Sequence, residues 1–132
     1  MQDEGPIDWS FEGRQGAILH KVKAPNSNFR RCILEDADLS ESNFEDSDFR
    51  KAAMRGANLM KTAFDNCDFR GTDLKKARMN MSVYRNCKFT GADLRGIRGK
   101  HAIWEGSDWW NAKLDEDLEK VLAKKWPKPS DE

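Results

Sequence analysis

Two histidines, His20 and His101, and three cysteines, Cys32, Cys67 and Cys87, are the side chains best suited to proton transfer, nucleophilic attack or metal ligation. Neither histidine has a catalytic motif around it. The cysteines lack the short paired spacings by which thiolates chelate zinc, and an odd, unpaired set suits a reducing compartment. Acid–base work by the many aspartates would need two carboxyl groups facing each other in a cleft, and their even distribution along the chain argues for a surface instead. The glycines from Gly91 to Gly99 do not form a phosphate-cradling pattern that opens a helix. No catalytic residue, cofactor-binding residue or metal ligand stands out, so the chain reads as a non-enzyme that uses no cofactor.

What the polar side chains share is spacing. Arg30, Arg50 and Arg70 lie twenty residues apart, and so do Arg55, Lys75 and Arg95. The apolar Ala63, Val83 and Ile103 repeat at the same interval between polar neighbours. These nine residues are the candidate interaction surface, and the elements that position them must explain the interval.

A shorter period underlies it. Ala37-Asp38-Leu39-Ser40-Glu41 is followed by Ser42-Asn43-Phe44-Glu45-Asp46 and Ser47-Asp48-Phe49-Arg50-Lys51. Each block is small, polar, large apolar, polar, polar, and the phase holds from Phe29 to Leu114. On an α-helix, five residues turn the large position by about 140°, so no apolar face forms. Along a strand, the next block falls out of step because five is odd. The chain must therefore turn once per block. The residue two after each large one is often Gly, Asn or Asp, as at Asp36, Asp46, Gly56, Asn66, Gly71, Asn86, Gly91, Gly96, Gly106 and Asn111, the types that tolerate positive φ.

Four blocks make one coil. Phe29, Phe49, Phe69, Phe89 and Trp109 then form one aromatic column, and Phe44, Phe64, Tyr84 and Trp104 a second. Leu34, Met54, Leu74, Leu94 and Leu114 form an aliphatic column, as do Leu39, Leu59 and Met79. A coil of three blocks would mix the two kinds. Cys67 and Cys87 become stacked neighbours within disulfide reach, but parallel side chains in a ladder suit small buried thiols better than a bridge. Regularity fails at Arg14, Ile97 and Gly99, where bulges are expected.

The blocks Ala37-Asp38-Leu39, Ala57-Asn58-Leu59 and Ala92-Asp93-Leu94 resemble the A(D/N)LXX motif of the pentapeptide-repeat family, over roughly Ser27 to Leu114. The resemblance implies an all-β solenoid, a right-handed quadrilateral β-helix of about four to five coils. It also implies a bacterial or cyanobacterial type of protein, and the ending from Gly106 to Ala112 plus a helix is similar to that of some bacterial members.

A solenoid needs covered ends. The expected organisation is an N-terminal cap segment at 1–16, with Ile7, Trp9 and Phe11 as a plug. A pentapeptide-repeat β-helix follows at 17–114, a C-terminal capping helix at 115–126 and a flexible tail at 127–132. The helix has Asp115 as N-cap, acidic residues first, Lys124 and Lys125 last, and an apolar stripe of Leu118, Val121 and Leu122.

The 132 residues carry 23 basic and 23 acidic side chains, and zero net charge supplies no global field to draw in nucleic acid or an anionic membrane. No apolar run approaches the roughly 20 residues of a membrane span, and the start of the chain does not read as a secretory signal. The expected role is a cytoplasmic protein-interaction module or scaffold, monomeric or weakly dimeric, with an unidentified protein partner. The alternative implied by the family is DNA mimicry toward DNA gyrase, which zero net charge and short length disfavour.

Overall fold

The computed structural model describes residues 1–130, so the tail expected at 127–132 lies partly outside the described residues. Backbone bridges join residues twenty apart in parallel register. β1 (Gln2–Asp3) pairs with β2 (Val22–Lys23), and single bridges continue from Asp8↔Asn28 through Ile33↔Ala53 to Asp93↔Lys113. Each side of a coil is held by donation in both directions: Phe49 N–H to Asp68 O at 2.8 Å, and Asp68 N–H to Ser47 O at 3.1 Å. The chain is a β-helical solenoid.

The corners fall where the sequence places them. Positive φ recurs every fifth residue from Phe11 to Gly106, including Asp36, Gly56, Asn66 and Gly91. Asn111 is the exception, since it closes a 3₁₀ turn at Trp109–Asn111. Lys51, Lys61, Lys76 and Met81 also have positive φ, at a cost of roughly 1–2 kcal/mol each. The ladder offsets this, as where Lys61 N–H reaches Asn80 O at 3.1 Å.

Inside, like stacks on like. Phe29, Phe49, Phe69 and Phe89 stack at 4.9, 5.0 and 5.2 Å with rings within 11° of parallel. Phe64, Tyr84 and Trp104 stack at 5.4 and 4.9 Å, with rings 5° and 25° from parallel. The two columns meet edge to face, as at Phe49–Phe64 (5.7 Å, 74°), the complementary geometry for aromatic quadrupoles.

The small inward positions do more than save space. At most corners the small residue's N–H bonds back three residues, as Ala52 to Phe49 O at 3.1 Å. The Ser42–Thr62–Ser82 column works differently: Ser42 N–H donates to Thr62 Oγ1 and Thr62 N–H to Ser82 Oγ, both at 3.2 Å. Each hydroxyl then donates to a carbonyl of the previous coil, Ser42 to Leu19 O and Thr62 to Leu39 O at 2.7 Å, and Ser82 to Leu59 O. A hydroxyl here satisfies two buried backbone groups at once.

The expected bulges at Ile97 and Gly99 are absent. Positive φ stays five residues apart at Gly96 and His101, and Arg78↔Arg98 keeps its bridge. The pair exchanges volumes, because a Cβ on Gly99 would lie 3.8 Å from Ile97 Cδ1 and 3.9 Å from the Trp104 indole. Arg14 also leaves the register intact, with Gly13↔Ile33 bridged. Its guanidinium covers the Trp9 ring at 4.3 Å and pairs with Glu12 at 2.7 Å. Phe11 does not join a plug, being a corner residue 65% exposed.

At the other end two aspartates stand in for a missing strand. Where ladder carbonyls would come next, Asp108 Oδ1 accepts the Phe89 N–H and Asp115 Oδ2 the Gly96 N–H, each at 2.5 Å. Asp115 therefore precedes α1 (Glu116–Lys125) without capping it through its side chain. α1 buries Leu122 and packs Leu118 against the core, while Val121 is 59% exposed and so lies outside the packed stripe. Trp109 Nε1 donates to Trp126 O at 2.7 Å, tying the helix end to the last coil.

Candidate interaction surface

The outward residue before each large side chain sets the corner. Its Asp or Asn oxygen accepts the N–H two residues on, as Asn28 from Arg30 (3.0 Å), Asp48 from Arg50 (2.9 Å) and Asp68 from Arg70 (3.1 Å). Where that second residue is arginine, the same carboxylate also takes the guanidinium. Arg50 Nη2 reaches Asp48 Oδ2 at 2.7 Å, Arg70 reaches Asp68 at 2.6 Å and Arg95 reaches Asp93 at 2.7 Å. Reading the aspartates only as polar fillers missed this Asp-X-Arg clamp. The signal lay two positions before each arginine.

Both basic columns carry three cations and two interleaved aspartates. Arg55, Lys75 and Arg95 interleave with Asp73 and Asp93: Arg55–Asp73 is 3.4 Å, Lys75–Asp73 3.8 Å and Lys75–Asp93 3.6 Å. The Arg95 hydrogen bond, against burial, holds the Asp93 carboxyl down to about 2. The Arg30–Arg50–Arg70 column is interleaved with Asp48 and Asp68 in the same way, with Arg50 Nε 3.9 Å from Asp68, and differs in its flanks. Lys51 and Arg31 flank it, and Asn28 stands where a carboxylate would pair with Arg30. Arg30 Nε is buried without a hydrogen-bond partner among the described residues, and its guanidinium lies 5.6 Å from the Phe11 ring centre. Arg30, Arg50, Lys51, Arg70, Gly71 and Thr90 line a hollow of about 370 Å³.

The next corner is acidic, with Glu45, Asp46, Asp65 and Glu105. Burial first, then the Glu45 charge, raises the Asp65 carboxyl, although Arg85 stands 3.5 Å away. Ala63, Val83 and Ile103 are bridged neighbours, half-buried in one column.

Residue types capable of nucleophilic chemistry do meet once. His20 Nδ1 is 2.9 Å from Ser40 Oγ, and His20 Nε2 is 3.7 Å from Glu41. Ser40 is buried and donates its proton to Asp38 Oδ1 at 2.5 Å, so the imidazole does not face a free hydroxyl proton. His101 lines a groove between the last coil and α1. The thiols of Cys67 and Cys87 donate to Phe44 O and Phe64 O at 3.0 and 2.9 Å, and burial raises both out of the nucleophilic range. Burial, then Glu12, pushes Cys32 up to about 11. Among the described residues no cluster could hold a metal ion, and no helix is long and apolar enough to cross a membrane.

A family model described as Pentapeptide repeats (9 copies) matches residues 26–73. No curated protein matches the chain. Full-length QnrB1, a plasmid-mediated fluoroquinolone resistance protein, superposes with TM-score 0.65 at 16% identity, covering 93% of this chain and 98% of that one. The pentapeptide-repeat protein Rfr23 from the cyanobacterium Cyanothece 51142 gives TM-score 0.51 at 16% identity, over 86% and 88% of the two chains. At such identities the likeness is one of fold. The family's repeats are matched at 26–73, and the same register of corners continues on both sides, so the chain carries pentapeptide repeats.

Proposed function

We propose that this chain is a non-enzymatic interaction module, a rod whose outward columns are read by a protein partner. The observation that carries it is the basic corner of Arg30, Arg50, Lys51 and Arg70, flanked by Arg31 and without the in-register Glu35 and Asp115 that end the Arg55–Lys75–Arg95 column. In this reading the coil is a right-handed quadrilateral β-helix at 17–114, residues 1–16 end it on one side, and α1 within 115–126 caps it on the other. Three free, buried thiols suit a reducing, cytoplasmic setting. Affinity capture from the native host tests the reading. Wild type is expected to retain a specific protein that a double charge reversal at Arg50 and Arg70 releases. Identical capture by both forms contradicts it.

Likeness to QnrB1, a fluoroquinolone resistance protein, motivates a second reading, binding to DNA gyrase as a DNA mimic. A basic corner and zero net charge fit an anionic DNA mimic poorly. A gyrase supercoiling assay that shows no inhibition at saturating protein discards it.

A further inference from the structure

We propose that the corner of Arg30, Arg50, Lys51 and Arg70 binds a short acidic peptide segment of a protein partner, its carboxylates lying along the arginine column. This rests on the interaction-module reading. The corner sets Arg30, Arg50, Arg70, Arg31 and Lys51 against Asp48 and Asp68, whereas Arg55, Lys75 and Arg95 meet Asp73 and Asp93 and have Glu35 and Asp115 in register at their two ends. Its guanidiniums are also pre-positioned. Asp48 holds Arg50, and Asp68 holds Arg70, through Nε and Nη2, which leaves Nη1 free of those bonds. A fork fixed in this way loses little entropy when a second carboxylate arrives. Arg30, with Asn28 before it and no carboxylate within ion-pair distance among the described residues, is the least neutralised of the three.

The shape selects the occupant. Gly71 leaves the corner without a side chain, and the Lys51 stem lies across it, with Cγ 3.1 Å from where a Cβ would stand. The adjacent Phe29–Phe49 and Phe49–Phe69 steps are 4.9 and 5.0 Å, so the three arginines span about 10 Å, the length of about three extended residues. Ser10 and Thr90 end the column. A nucleic-acid strand gains affinity by neutralising many successive phosphates, and here the next corner turns acidic at Glu45, Asp46, Asp65 and Glu105. That corner repels a polyanion that runs on, and tolerates a segment that stops.

The test is fluorescence anisotropy with a labelled oligo-glutamate peptide at low salt, beside a single-stranded oligonucleotide of equal charge. Wild type should bind the peptide more tightly than the oligonucleotide. Arg30→Gln, which breaks no ion pair, should weaken the peptide about tenfold, while Arg55→Gln on the neutralised column should leave it unchanged. Thermal melts confirm that both variants fold. Absence of peptide binding, equal loss in both variants or tighter binding of the oligonucleotide overturns the proposal. Should wild type ignore the peptide yet capture a host partner that the double charge reversal at Arg50 and Arg70 releases, the acidic-segment proposal falls and the interaction module stands. Peptide binding with no host protein captured does the opposite, supporting the acidic-segment site and removing the interaction module.

Discussion

Single atoms decide whether a coil closes. Thr62 accepts the Ser42 N–H and donates to Leu39 O, whereas Thr72 donates to Phe49 O and its own N–H bonds back to Phe69 O. Valine at 62 therefore strands a buried donor as well as losing a bond, and at 72 it only loses the bond. Urea denaturation should show Thr62→Val costing about 2 kcal/mol and Thr72→Val about 1 kcal/mol; equal costs would contradict the role given to the hydroxyl column. The Asp-X-Arg clamp makes a pH prediction. Asp93 sits at about 2 in the folded chain against an ordinary 3.8. A carboxyl lowered by folding stabilises fully above its ordinary value and loses that contribution as pH falls toward its folded value. The stability gap between wild type and Arg95→Gln should hold above about pH 5 and close between about pH 4 and 2. A gap independent of pH would place the Arg95 contribution outside the clamp.

At the scale of elements, the ends matter most. A parallel ladder leaves donors open where the chain departs, and Asp108 and Asp115 fill them from side chains. Asp108 also accepts from Thr90 Oγ1 at 2.6 Å and Asn111 Nδ2 at 3.1 Å, so it holds the 3₁₀ turn to the coil before it. Asp108→Ala should cost about 2 kcal/mol and speed amide exchange at Phe89 ahead of inner coils. Exchange unchanged at that amide would show that α1 alone secures this end. The helix itself was legible in the sequence from its charges and from Pro127. The carboxylate of Asp115 was not, because N-capping and edge-filling require the same residue type at the same place.

Over the whole molecule, the five-residue period and the twenty-residue columns were readable because only a turn per block brings small and large residues inward together. Positive φ at Lys61 or Met81 was not readable from residue type, since the ladder overrides local preference there. The same holds for Ile97 and Gly99, whose exchanged volumes appear only once Trp104 is placed beside them. The basic corner was visible as spaced arginines, but its surplus over the other column emerged only with Arg31 and Lys51 beside it and Glu35 and Asp115 in register with the other. The columns and the corner alike depend on residues twenty apart being neighbours. Pyrene labels on cysteines placed at Lys61 and Met81, in a background lacking Cys32, Cys67 and Cys87, test that directly. Both sites are exposed corners, with Lys61 N–H bonded to Asn80 O. Strong excimer emission is predicted for this pair and none for a pair at Lys61 and Lys76, one corner short of a coil. Excimer from the second pair instead of the first would contradict the coil and, with it, the arginine column.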